Sequence, residues 1–428
     1  MTIHNKKPHF LIRMGDWLKE IITITVEEFR HILRDKGVIV IFFAASIIYP
    51  FMYNGIYYNE VIREVPIAVV DLSQTTRSRE FLRKIEATPE LSIAYRCTSV
   101  QEAEDLFKRQ NVHGIIYIPA DYSYKINHNE QATVSVYSDM SSFMFYRVMM
   151  SAANAVVQNE GEKIRYERLN QEGITGEDAN IAANPMPYTS NILYNSYGGF
   201  ASFLLPALLI LILHQTLFLG IGMEAGSRKE ENKYHLLIPA NSRRSVIQIV
   251  LGKCTGYFLI YFLFSFFILG FIPRFFNLPH IGNFAEIIIM IIPFLLATIF
   301  FAMTLSVFMV KRETVLVTFI FSSLILLFIS GFSWPRSSIN GFWLAFSYIF
   351  PSTHGIQAYI KLNTMGANLY DINREYIALW IQTGFYFLTT LLVYTLQITN
   401  SRKKVIRVAL EKQAQFKRNG ERRDLTGL

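Results

Sequence analysis

The chain has 428 residues, of which 51% are hydrophobic and 17% charged; soluble domains carry about a quarter charged residues, so a single water-soluble globule is excluded. Phe alone contributes 35 residues, with 23 Tyr and 4 Trp beside it, the mixture expected of lipid-facing helices with aromatic belts. The formal charge of +8 clusters next to apolar runs, where it sets topology and meets anionic membrane lipid rather than nucleic acid; the two cysteines, Cys97 and Cys254, build no disulfide framework, and no Cys/His cluster has metal-binding spacing.

Residues 1–16 are polar and basic and lack the apolar core of a cleavable signal peptide. From Trp17 to Arg34, Leu18, Ile21, Ile22, Phe29, Ile32 and Leu33 recur at helical spacing, with Glu27, Glu28, Arg30 and Arg34 filling the other side. That pattern predicts an amphipathic helix in the membrane interface. Residues 37–59 carry no charge and form span 1, with Tyr53, Tyr57 and Tyr58 extending a short apolar core. Residues 60–195 change character. The runs Val65–Asp71, Leu91–Cys97, Val112–Pro119 and Ala132–Asp139 read as strands, and Thr76–Thr88, Ser99–Gln110 and Phe143–Asn170 as helices. Ser99 with Glu102 makes a capping box. Strands alternating with helices predict a mixed α/β domain with some parallel pairing.

Residues 196–400 hold five further spans, expected at Phe200–Ile221, Val246–Phe271, Ile287–Val310, Thr314–Trp334 and Ile377–Ile398. Lys253 interrupts span 3 near its start, where a long side chain can snorkel to the interface. Between spans 2 and 3 lies a charged loop, 223–245. Between spans 5 and 6 the segment 337–360 is uncharged, aromatic and broken at Pro351 and Gly355; two short half-helices that dip into the membrane and return are expected there. Residues 401–428 form a basic tail. Lysine and arginine are concentrated in residues 1–36, in the span 2–3 loop, at Lys311-Arg312 and in the tail. Six helices with both termini cytoplasmic satisfy these counts and put the α/β domain outside. The fold class is thus a polytopic α-helical membrane protein, six transmembrane helices with a mixed α/β extracytoplasmic domain between helices 1 and 2.

No G-x-x-x-x-G-K-[ST] phosphate loop, G-x-S-x-G elbow or H-E-x-x-H pair occurs, so the chain is expected to hold no cofactor and to hydrolyse no nucleotide. His214-Gln215, near the middle of span 2, has two readings: a pore or substrate contact, or a helix–helix hydrogen bond. Gly220, Gly222 and Gly256 suit close helix approach.

Within the span 2–3 loop, Glu224, Gly226 and Ser227, then Leu236-Leu237, Pro239, Ser242-Arg243 and Leu251-Gly252-Lys253, are arranged as in ABC-2-type transporter permeases. Ser330-Gly331-Phe332 with Pro335, Trp343, Tyr348 and Phe350-Pro351, and Arg34-Asp35-Lys36 ahead of span 1, resemble other segments of that family. The large insertion after span 1 is similar to that of its drug- and lipid-exporter branch. The family's Arg-Glu-x-Gly-Thr-Leu-Glu string is here Glu224-Ala225-Gly226-Ser227-Arg228-Lys229-Glu230-Glu231. The resemblance implies a permease subunit in the cell inner membrane, working as a homodimer or heterodimer. A separate ABC ATPase binds the ATP, and a periplasmic adaptor and outer-membrane channel are further expected partners. It implies ATPase coupling through Arg30, Arg34, Glu224, Gly226, Leu236, Pro239, Ser242, Arg243 and Arg244, with a coupling helix at Ala240–Gln248, and export of an amphiphilic or hydrophobic substrate. The competing reading is a membrane-anchored envelope sensor whose outside domain binds a ligand; it leaves the five later spans and the loop pattern without a purpose. A secondary transporter would want ionisable groups mid-membrane, and His214 is the only one expected deep in a span.

Overall fold

The computed structural model describes residues 9–195, 198–230, 245–309 and 311–425. The chain divides into two compact units, Asn59–Ile192 and a second made of Met1–Tyr58 with Leu193–Leu428.

The smaller unit is built on a four-stranded sheet. Its strands are β1 (Val65–Asp71), β2 (Leu91–Cys97), β3 (Gly114–Ile118) and β4 (Ser135–Ser138), in the order β2-β1-β3-β4. β1 pairs in parallel with both β2 and β3, and β4 runs antiparallel to β3. Strand periodicity sends alternate residues of β1 to opposite faces. Val65, Ile67 and Val69 join a core with Phe81, Leu82 and Met149, while Ala68 and Val70 join Ala103 and Val112 on the other face. Burial on both faces explains why β1 is a nearly continuous apolar run. The Asp71 carboxylate ends β1 by accepting the amides of Ser73 and Gln74, both at 3.0 Å, and the Ser78 hydroxyl at 2.7 Å. The polar stretch after the long helix Phe143–Gln171 contains one more helix, Gly176–Ala183.

The larger unit contains six helices long and apolar enough to cross a membrane: Lys36–Ile56, Phe200–Glu230, Val246–Phe275, Phe284–Ser306, Arg312–Ile329 and Asn373–Asn400, the last continuing as helix to Leu425. They are spans 1 to 6 below. Span 2 is apolar all round, as a central helix must be: 94% of its apolar window is buried, against 17% for span 5. Gly220 lies against the Phe42 ring of span 1, and a Cβ on Gly222 would stand 2.6 Å from Val315 of span 5. Thr390 of span 6 donates to the Phe300 carbonyl of span 4 at 3.0 Å.

Between spans 5 and 6, Gly341–Ser347 and Pro351–Tyr359 are two short helices joined through Phe350. A broken helix leaves carbonyls that need donors. Span 6 supplies them: Gln382 donates to the Tyr348 carbonyl at 2.7 Å and the Tyr386 hydroxyl to the Ile349 carbonyl at 2.5 Å. Each buried acceptor left unpaired costs about 1–3 kcal/mol. Gln382→Leu combined with Tyr386→Phe should therefore lower the unfolding midpoint of the detergent-solubilised protein clearly, whereas Ile381→Val, on the exposed side of the same helix, should leave it in place. Equal midpoints for both variants would show that span 6 does not hold the break.

Candidate functional site

Span 2 was expected to end at Ile221 and give way to a charged loop. The helix instead continues to Glu230, and Glu224, Gly226 and Ser227 are buried in it. These charged turns are accommodated because each charge meets a partner from a different element.

Glu224 and Arg228, one turn apart, pair with each other. Arg228 also donates to Glu28 of the amphipathic helix His9–Ile32 at 2.5 Å. Lys253 of span 3 donates to Glu28 at 2.9 Å and to Glu224 at 3.4 Å. The Tyr257 hydroxyl donates to Glu28 and, at 3.2 Å, to Glu224. The side chains of Glu28, Glu224 and Lys253 are 3%, 2% and 4% exposed, so two carboxylates and two cations cancel inside the protein. A cavity of about 20 Å³ beside them, bounded also by Lys229, Ser306 and Tyr394, has room for one water molecule.

A second group lies on the next face of the same turns. Asp35 caps span 1 by accepting the amides of Gly37 and Val38 at 2.9 and 3.3 Å. Its other oxygen accepts Ser227 and Arg312, both at 2.7 Å. Arg312, which opens span 5, also donates to Ser227, and its amide donates to Glu230 at 2.9 Å. Lys229 donates to the Ser306, Val307 and Met309 carbonyls at 3.0, 2.6 and 2.8 Å. It thereby satisfies the carboxyl end of span 4, where a cation is favoured. A Cβ on Gly226 would stand 3.2 Å from the Lys311–Arg312 backbone, so glycine permits span 5 to start there. The last two turns of span 2 thus hold the amphipathic helix and spans 1, 3, 4 and 5.

The amphipathic helix turns a mixed face inward. Ile24, Thr25, Glu28 and Ile32 are buried, Thr25 donates to the Gly252 carbonyl at 3.0 Å, and a Cβ on Gly252 would stand 2.7 Å from Ile24. Glu28, grouped by its charge with the solvated residues, stands one turn from both Ile24 and Ile32 and is buried with them. Lys253 does not snorkel; its partners come to it. Leu18, Ile22, Val26 and Leu33 form a second apolar row, which is exposed.

The other expected site residues scatter. Arg30 and Arg34 are exposed on the amphipathic helix and its exit. His214 and Gln215 are buried halfway along span 2. Leu236, Pro239, Ser242, Arg243 and Arg244 lie outside the described residues. Of the expected coupling helix Ala240–Gln248, the described part is Ser245, which has an extended backbone and N-caps span 3 through Gln248, and the start of span 3 itself. The sequence reading missed Glu28, Asp35, Arg228, Lys229, Tyr257 and Arg312 as a group. The available signal was a pair of lone opposite charges, Glu28 and Lys253, each on an otherwise apolar helix face.

A family model described as ABC-2 family transporter protein matches residues 36–392. The chain belongs to that family. No curated protein matches it. Membership makes the chain a multi-pass permease, a transport subunit rather than a nucleotide-hydrolysing enzyme, and implies pairing with an ABC ATPase subunit. In the permease, the match begins at Lys36, one residue after Asp35, and spans all six helices up to the middle of span 6.

Breaking one member of a buried charge cluster leaves an uncompensated charge and costs about 3–5 kcal/mol. Lys253→Met should lower the permease's unfolding midpoint sharply, and adding Glu224→Gln should recover at least half of the loss; a double variant no better than the single one would show that the two charges are not coupled. Burial alone would raise the Glu28 carboxyl, but Arg228, Lys253 and the Tyr257 hydroxyl outweigh it and hold it down to about 2. Burial likewise opposes ionisation of Asp35, and the Ser227 hydroxyl, the Val38 amide, Arg312 and the Gly37 amide hold it below its ordinary value. A depressed carboxylate stabilises the fold above its unfolded value, and that contribution is lost as pH falls through the folded value. Hydrogen exchange of residues 21–32, corrected for intrinsic rates, should therefore be flat from neutral pH down to the ordinary carboxylate range and rise only in stronger acid, towards about pH 2. A rise already between pH 7 and pH 5 would contradict this.

Proposed function

We propose that the chain is the permease subunit of an ATP-driven exporter that moves an amphiphilic or hydrophobic substrate, drug-like or lipid-like, out of the cytoplasm or the inner leaflet. Both termini are cytoplasmic, the membrane is the cell inner membrane, and the unit Asn59–Ile192 is extracytoplasmic; the lysine and arginine counts around the spans support this orientation. The outside unit engages an envelope partner, such as an adaptor leading to an outer-membrane channel. Two permeases, alike or different, form the pathway, each above one ATPase subunit.

The observation that carries this reading is the end of span 2. The helix that runs directly into the segment 231–244 also grips the amphipathic helix and spans 1, 3, 4 and 5. A push on 231–244, or on the exposed Arg30 and Arg34, reaches the membrane helices through fixed ion pairs rather than through a loose loop. An ATPase can shift the conformational equilibrium only by its differential affinity for the two states, and a rigid junction is what converts that difference into helix movement.

Photo-cross-linking from Arg243 and from Arg30 in native membranes should capture an ABC ATPase subunit, and the permease purified alone should release no phosphate from ATP. Membranes in which neither position captures an ATPase would overturn the coupling proposed here.

A further inference from the structure

Spans 3 and 6 both pack on span 4 but do not close over it, and a groove of about 500 Å³ runs between them. Three helix stripes make its walls. Leu251, Cys254, Thr255 and Phe258 recur at helical spacing on span 3, and Trp380, Thr383, Gly384 and Phe387 do so on span 6. Leu296 and Phe300 of span 4 form the floor. Small residues keep the gap open: Thr255 faces it from one wall, and on the other a Cβ at Gly384 would meet no atom within 4 Å. Span 6 is held in place by Thr383, which donates to the Pro293 carbonyl of span 4 at 3.2 Å, and by the Phe300 and Phe387 rings, whose centres are 5.2 Å apart.

The groove is long and apolar. At one end Leu251 is two residues from Lys253, which borders the junction cavity together with Tyr394 of span 6. At the other end stands Trp380, about 21 Å of helix before Tyr394 at 1.5 Å per residue. One leaflet's chains cross about half of a ~30 Å hydrocarbon core, so the groove has the length to take one chain lengthwise. Both of its hydroxyls are committed: Thr255 donates to the Leu251 carbonyl at 2.8 Å, and Thr383 to the Leu379 carbonyl at 2.8 Å as well as to Pro293. The Trp380 indole and the weakly polar Cys254 thiol remain, too few for water, each molecule of which needs two to four polar partners. Next to the lining residues on the same helices, Leu259, Ile381, Phe385 and Leu388 are exposed, so the mouth opens among apolar side chains of membrane spans.

We propose that this groove is a binding site for one acyl chain of a membrane phospholipid. Acyl chains are what a membrane presents at this depth, and an unfilled groove forfeits the contacts its walls would make. The attraction is not hydrophobic in origin, because the chain leaves a phase as apolar as the groove; it comes from the fit of an extended chain between three helices. By helical spacing the stripe on span 3 lies opposite Lys253 and Tyr257, so a bound chain braces span 3 against spans 4 and 6 from behind the charged junction. The site requires only that these helices span a membrane, and it stands apart from the exporter reading.

Trp380, 43% exposed at the groove, is a built-in reporter. The full chain with Trp17→Phe, Trp334→Phe and Trp343→Phe, purified in a non-ionic detergent, is titrated with a phosphatidylcholine carrying brominated chains, which quench indole fluorescence on contact. Quenching of Trp380 should saturate. Gly384→Leu, which fills the groove from span 6, and Thr255→Phe, which fills it from span 3, should each raise the half-saturating lipid concentration about tenfold, equivalent to about 1.4 kcal/mol. Native mass spectrometry of the same proteins should find one phosphatidylcholine retained per chain and its loss in both variants, a readout that does not depend on shielding of Trp380 by the new side chains. Quenching that rises without saturating, or equal half-saturation and equal retention in all three proteins, would overturn the site. Paired chains in the parent protein that become single chains in Gly384→Leu would assign the groove to a second copy and overturn it equally.

Discussion

A charge removed from water must take its counter-charge with it, and the junction of Glu28, Glu224, Arg228 and Lys253 follows from that constraint. Each ion buried alone would cost several kcal/mol, and mutual attraction repays this only when every donor and acceptor is placed. Three elements must therefore meet at one point. The amphipathic helix supplies one carboxylate, span 2 a carboxylate and a guanidinium, and span 3 an ammonium and the Tyr257 hydroxyl. None can slide past the others without stripping a partner from a buried ion. The amphipathic helix, which on propensity alone would lie on a membrane surface, is thereby fixed to spans 2 and 3.

The same turns of span 2 extend this constraint outward. Ser227, Lys229 and Glu230 follow Glu224 on neighbouring faces of the helix and reach Asp35, the end of span 4 and the start of span 5. Lys229 does for span 4 what a local cap does for a soluble helix: it donates to carbonyls that have no intrahelical partner. Helix ends that in a soluble protein would be finished by local turns are here finished by one another. A displacement at this end of span 2 is consequently shared by four other spans, whereas one turn earlier span 2 meets spans 1 and 5 through close apolar packing at Gly220 and Gly222.

The break between spans 5 and 6 obeys the complementary rule. Backbone groups exposed by ending a helix inside an apolar environment are acceptable only when protein satisfies them. Span 6 meets the carbonyls at Tyr348 and Ile349, but among the described residues nothing meets the hydroxyls of Ser352 and Thr353 at the start of the next helix. One side of the break is closed by the fold and the other is left with free donors.

Much of this architecture could be read along the chain. Apolar run lengths mark the six spans, β-branched runs mark β1 to β3, and Pro351 marks the second short helix, because each depends on local composition and period. Boundaries went astray where tertiary partners override local polarity. Met223–Glu230 reads as a loop because charged residues ordinarily seek water, yet it is helix because Glu28, Lys253, Asp35 and Arg312 neutralise it from more than 20 positions away in sequence. Glu28 was grouped with the solvated residues by its charge although its spacing from Ile24 and Ile32 puts it on their face, and Lys253 was assigned to the interface: periodicity tells which residues share a face, but not that two faces, each carrying one lone charge, will be pressed together. The sequence by itself determined that there is a membrane unit, roughly where its helices run and which family the chain belongs to. Only the tertiary structure decided which charges are buried and which polar groups are left without partners, because pairing energy depends on distances between residues that the chain order keeps apart.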